Sequence, residues 1–160
     1  MLVLSLALLA AQVAPSPAAM PGEDPVEAYR SADTNAGGRP FAGTAMLDAF
    51  HGRDGIARIV DDLVATSQAD PRIGDIFKAQ DMVRLRRTLK EQFCYLLNGG
   101  CAYSGRDMIA AHRNLGIQVK DMNALVANLQ AAMHREGVPF ARQNAFLAKL
   151  APMKPAVVTR

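Results

Sequence analysis

The sequence predicts an all-α domain, and three observations carry that prediction. Apolar residues recur at three- and four-residue spacing through most of the chain after residue 50. Pro and Gly punctuate those stripes where helices would stop. No segment shows the sustained alternation of a half-buried strand, and the Asn98-Gly99 pair that would suit a hairpin turn is flanked by helical pattern. With 160 residues, half of them hydrophobic, the chain suits one globular domain with a single core.

The elements follow in order. Residues 2–14 are an apolar run without a charge, shorter than the roughly 20 residues that a spanning helix needs. Small residues follow at Ser16, Pro17, Ala18 and Ala19, so residues 1–19 read as a signal peptide cleaved after Ala18 or Ala19. No Lys or Arg precedes the run, which leaves a retained anchor as a second reading; no Cys follows it to take a lipid. Residues 20–44 are rich in Pro, Gly, Ala and polar residues and read as a linker or disordered arm. The folded domain is expected over residues 45–160.

Within it, Ile56, Ile59, Val60, Leu63 and Val64 form a first stripe, with Asp54 expected to cap it and Asp70-Pro71 to end it. Met82, Leu85, Leu89, Phe93 and Leu96 form a second, capped by Asp81 and stopped by Gly99-Gly100. A short helix carries Met108, Ala111 and His112 and closes at Gly116. Met122, Leu125, Val126, Leu129 and Met133 form the next stripe, ended by Gly137 and Pro139. Phe140, Asn144, Leu147 and Leu150 form the last, with Pro152 at its end.

Charge excludes little but argues for little. The formal net charge of +3 is mild and scattered, with no block that would mark a nucleic-acid partner. The densest basic cluster, Arg84, Arg86 and Arg87, reads as a solvated helix face. None of the three histidines, His51, His112 and His134, is spaced to share a zinc ion with another His or with the two cysteines. There is no nucleophile elbow and no glycine-rich phosphate loop.

The string from Tyr103-Ser104-Gly105 through Met108 and His112 to Gly116-Ile117 resembles the proximal segment of group I truncated haemoglobins. The resemblance extends in order over residues 47–158. It takes in Asp61-Asp62-Leu63-Val64, Asp70-Pro71-Arg72-Ile73, Ile76-Phe77, Asp81-Met82-Val83-Arg84-Leu85, Gly99-Gly100, Gly137-Val138-Pro139 and Ala151-Pro152-Met153. It implies two antiparallel helix pairs crossing as a two-over-two sandwich. It also implies haem b as cofactor, His112 as the proximal iron ligand, and an apolar pocket of Phe77, Met82, Leu85, Leu89, Met108, Ile117, Met122, Leu125 and Val126. Arg84 and Tyr103 occupy positions that reach haem propionates in the family; for Arg84 a free surface charge is the rival reading. A neutral imidazole ligand needs its other nitrogen held by a hydrogen bond, here from a carbonyl near Met108 or Ile109.

The distal side departs from the family pattern. Val64 and Leu89 stand where a Tyr and a Gln are common, and Leu85 stands at the gate. Gln92 is the remaining polar side chain on that stripe and the candidate donor to a ligand. The Cys94-x6-Cys101 pair around a glycine turn resembles an exported branch, in which a disulfide would brace the distal helix; two buried thiols are the alternative. The implied function is reversible binding of dioxygen, carbon monoxide or nitric oxide in the periplasm or outside the cell. Nitric oxide dioxygenation with an external reductase, or haem-based sensing through a partner, stand as alternatives.

Overall fold

The computed structural model describes residues 19–159, so residues 1–18 of the expected leader lie outside the described part. Eight α-helices follow one another: α1 (Ala45–Ala49), α2 (Gly52–Ala69), α3 (Gly74–Phe77), α4 (Met82–Leu96), α5 (Met108–His112), α6 (Val119–Arg135), α7 (Phe140–Leu150) and α8 (Lys154–Val157). Two 3₁₀ turns, Asp33–Ala36 and Ala151–Met153, complete the regular structure, and there is no strand among the described residues. Helix α2 packs on both α4 and α6, and α6 packs on α7, which gives the two-over-two arrangement.

The stripes read from the sequence become the core. Ile56, Ile59, Val60, Leu63 and Val64 of α2 are all buried, against Phe93 and Leu96 of α4 and Leu129 and Met133 of α6. Three rings lock the centre: Phe146 of α7 meets Phe50 edge-on at 5.1 Å and Phe93 at 4.8 Å. Asp81 caps α4 by accepting the Arg84 N–H at 2.9 Å, as expected. Gln118 and Asp121 form a reciprocal capping box at the start of α6.

Two expectations about the helices change. Helix α2 begins at Gly52 behind His51, which adopts φ 56°, so Asp54 lies inside the first turn. There its charge faces the positive end of the helix without capping it. Helices α1 and α2 approach closely here, and a Cβ at Gly55 would run into the Phe50 carbonyl. Of the expected α7 stripe, Leu147 and Leu150 pack against the core but Phe140 and Asn144 do not. Phe140 is 69% exposed and Asn144 is exposed, while Gln143 and Phe146 are buried. Gln143 tolerates this because its Nε2 donates to the Val138 carbonyl at 2.8 Å. Pro152 marks the end of α7 as expected, since that helix stops at Leu150. It starts a 3₁₀ turn, and Pro155 opens α8, where a missing N–H would be unpaired anyway.

Residues 20–44, expected as a linker or disordered arm, lie along the helical body. Asp24 N–H donates to Asp81 at 2.8 Å, the Tyr29 hydroxyl to the Ser104 carbonyl at 2.8 Å, and Phe41 N–H to the Leu96 carbonyl at 2.8 Å. Ala36 is fully buried. Composition hides this because the arm is held by single polar contacts with the body and shows no hydrophobic period of its own.

Candidate functional site

The short helix α5 sits where a loop would otherwise run. Asp107 caps it by accepting the Ala110 N–H at 2.9 Å. The chain leaves it after His112, turning through Asn114 and Gly116, both with positive φ. On its last turn His112 Nδ1 lies 2.7 Å from the Met108 carbonyl. An acceptor there requires Nδ1 to carry the proton, so Nε2 carries the lone pair. Burial pushes the imidazole pKa down, against a smaller upward pull from the Met108 carbonyl. The result is a neutral ring of fixed tautomer, whose Nε2 has no hydrogen-bond partner among the described residues. The other histidines differ. His51 is exposed and pairs with Glu136 at 3.1 Å, and His134 is exposed.

The expected lining residues share an unusual burial. Phe77, Met82, Leu85, Leu89, Met108, Met122, Leu125 and Val126 are all half-buried apolar side chains, spread over α3, α4, α5 and α6. Met82, Leu85, Leu89, Met108 and Leu125 pack on the outside of the core cluster to which Val64 belongs. Ile117 is more deeply buried, and its carbonyl is taken by the Thr159 N–H at 3.0 Å. Apolar groups left half open, together with an unpaired imidazole nitrogen on α5, suit a ligand with a broad apolar face and one coordination position. No group of three or more His, Cys, Asp or Glu able to hold a bare metal ion occurs among the described residues.

Three expected contacts fall elsewhere. Gln92 is buried, and its Nε2 donates to the Ala36 carbonyl at 2.9 Å, with the sulfurs of Met108 and Met153 at 3.5 and 3.7 Å. Its donor is thus committed to the arm. Thr88, a hydroxyl one turn before Gln92 on α4, bonds back to the Arg84 and Leu85 carbonyls at 2.9 and 3.3 Å. Val64, Leu85 and Leu89 therefore have no free side-chain donor from these two neighbours. Tyr103 is buried, and its hydroxyl donates to the Arg106 carbonyl at 3.1 Å across Gly105, where a Cβ would strike the Tyr103 ring. Arg84 faces Glu23 at 3.4 Å and Asp81 at 3.4 Å and donates to the Asp24 carbonyl. It is neither a free surface charge nor available without moving the arm.

Sequence reasoning missed the polar cluster around Arg87. Its guanidinium bonds Glu23 at 2.5 and 3.0 Å, Glu91 at 3.0 Å and the Ser104 hydroxyl. Glu91 also accepts from Ser104 N–H and Oγ at 2.9 and 2.6 Å. The i,i+4 spacing of Arg87 and Glu91 was the one local signal. Glu23 lies some sixty positions away in a segment without periodicity. The Sγ atoms of Cys94 and Cys101 lie at bonding distance, with Cα atoms 5.7 Å apart.

Residues 45–159 match the family described as bacterial-like globin. The chain is 26% identical over 117 residues to the group 1 truncated hemoglobin GlbN of Nostoc commune, which covers 73% of this chain and 99% of that protein. Among solved structures, the fold resembles the truncated hemoglobin of Tetrahymena pyriformis in its Fe(III) form, with a TM-score of 0.69 at 23% identity, covering 72% of this chain and 98% of that one. It also resembles the 2/2 hemoglobin of a Synechococcus species, in the cyanomet state with covalently attached heme. There the TM-score is 0.66 at 21% identity, covering 72% and 98%.

Proposed function

This chain belongs to the bacterial-like globin family as a group I truncated globin, and from that premise we propose that it binds a diatomic gas at a haem b held by His112. Haem as cofactor and a diatomic gas as ligand come with the family. The finer reading rests on one observation: His112, with Nδ1 tied to the Met108 carbonyl, is the half-buried, neutral imidazole with an unpaired Nε2. Haem supplies the iron that takes the gas. The side chains of Phe77, Met82, Leu85, Leu89, Met108, Met122, Leu125 and Val126 exclude water from its faces, and the Met108 carbonyl fixes the ring that ligates it.

The ligand-facing wall in this reading is Val64, Leu85 and Leu89. Dioxygen draws partial negative charge and gains from a hydrogen-bond donor, which this wall does not offer, so it leaves quickly and carbon monoxide is affected less. We place the protein in the periplasm or outside the cell. The apolar run at residues 2–14 supports this, and so does a cysteine pair set for a disulfide, a bond that persists in oxidising compartments.

Absorption spectra of the ferrous protein with and without carbon monoxide test the assignment. His112→Ala is expected to lose stoichiometric haem, while His51→Ala and His134→Ala keep the wild-type spectrum. A normal proximal-histidine spectrum in His112→Ala would refute it.

A further inference from the structure

The arm bridges α4 and the segment before α5, two parts that Arg87, Glu91 and the Cys94–Cys101 pair also join directly. Its first stretch is anchored on the N-terminal half of α4. Glu23 meets Arg87 and Arg84, and Asp24 meets Asp81 through its N–H and Arg84 through its carbonyl. Its next stretch crosses to the segment that leads into α5. Tyr29 reaches the Ser104 carbonyl, Asn35 the Gly105 carbonyl at 3.2 Å, and Asp33 accepts the Tyr103 N–H at 2.8 Å. It then returns to the second half of α4, where Gln92 donates to Ala36.

The hub between the two anchorages is Arg87, which touches the arm through Glu23 and the pre-α5 segment through Ser104 at once. Although it sits in an irregular, charged arm, the Glu23 side chain is only 1% exposed. A carboxylate removed from water to that degree is costly unless it is paired, and here two guanidinium groups pair it. That burial argues for a fixed latch and against a chance surface contact.

We propose that residues 19–36 are a strap that sets the proximal wall, with Glu23 and Arg87 as positioning residues for His112. The strap ties α4 to residues 103–106, and these lead directly into the helix whose last residue is His112. Glu23 orients Arg87; Arg87 and Glu91 together hold Ser104; Ser104 fixes the approach to α5. A loosened strap lets α5 shift against α4, so haem is held less long and the ligand imidazole is less well aimed. This inference rests on the reading of His112 as haem ligand.

The test uses the haem-loaded full chain. Haem transfer to a myoglobin apoprotein scavenger measures retention, and the iron–histidine stretching band of the ferrous protein reports on the proximal ring. Glu23→Gln and Arg87→Ala are expected to speed haem loss about tenfold and to shift or broaden that band, and Glu23→Asp to restore part of both. Should Arg87→Ala fail to fold, Ser104→Ala breaks the same link from the other side and is read in the same way. Unchanged retention and an unchanged band in Glu23→Gln and Ser104→Ala would overturn the strap. So would slower haem loss in Glu23→Gln, which would mean that Glu23 competes with the cofactor for Arg84 and Arg87. The two readings fail separately: if His112→Ala keeps a normal proximal band, the ligand assignment falls, whereas strap variants indistinguishable from wild type leave that assignment standing.

Discussion

Around His112 the chain places polar groups that are all engaged, whereas Val64, Leu85 and Leu89 have only apolar side chains. On the His112 side Met108 holds Nδ1, Asp107 caps α5, and Ser104 is gripped by Arg87 and Glu91. On the other side the nearest polar groups of α4 turn away: Thr88 to its own helix and Gln92 to Ala36. Orientation of one ring needs directional bonds, which only polar groups supply. A ceiling of Val and Leu supplies shape and dryness but no direction. If His112 holds the haem as proposed, the difference teaches that this globin would fix how the cofactor is held more tightly than how the gas is held.

The largest expected effect tests whether the two walls are joined covalently. Cys94 lies on α4 and Cys101 begins the run toward α5, so a disulfide would make one unit of both. Opening so short a loop with Cys94→Ser and Cys101→Ser is expected to cost about 2–3 kcal/mol, measured by denaturant unfolding. Mass spectrometry of the unreduced protein should find no alkylatable thiol; two thiols would sever the link. Next, Gln92→Leu should leave the dioxygen dissociation rate nearly unchanged but destabilise the fold by about 1–3 kcal/mol, because the buried Ala36 carbonyl loses its donor. A sharp rise in dioxygen loss would instead put Gln92 on the distal wall and erase the contrast.

Restoring direction to that wall sharpens it. Val64→Tyr, alone or with Leu89→Gln, is expected to slow dioxygen dissociation at least about tenfold, equivalent to roughly 1.4 kcal/mol, with a much smaller change for carbon monoxide in stopped-flow experiments. The smallest effect is one of pH. Hydrogen bonds from Arg87, opposed by burial and aided by the Met20 N–H and Arg84, hold the Glu23 carboxyl below its ordinary value of 4.5. Its contribution is therefore complete above that value and is lost as pH falls through the lowered one. Asp81, also held low and bonded to Asp24, weakens over the same acid range. Limited proteolysis should cut the arm faster in that window, and Glu23→Gln should remove much of the pH dependence.

Much of this was legible in the sequence. The stripe of α2 became the core residue by residue because 3.6-residue periodicity is imposed by burial on one face. His112 came from the resemblance of its segment to the family's proximal string, and of the two carbonyls expected near it, Met108 or Ile109, the structure pairs it with Met108. The inner face of α7 was legible only in part. Phe140 is apolar yet stands at the first helical position, outside the contact, and Gln143 is polar yet buried. The arm was the larger omission. Glu23 and Arg87 are both charged, and nothing in their spacing says they meet; only the path of the fold brings them together. Charge clusters read one residue at a time look solvated, and Arg84, Arg86 and Arg87 did.

The ring cluster at the centre bears on how the chain is made. Phe50 precedes α2, Phe93 lies in α4, and Phe146, which touches both, comes within the last helices. During synthesis the first two rings emerge long before their shared partner. Until α7 leaves the ribosome, the inner faces of α2 and α4 have no complete lid, and the chain carries exposed apolar surface for most of its translation. Contacts between such distant positions close late and at an entropic cost that local helix formation does not meet. The nascent chain therefore gains its helices early and its tertiary structure nearly all at once, near the end.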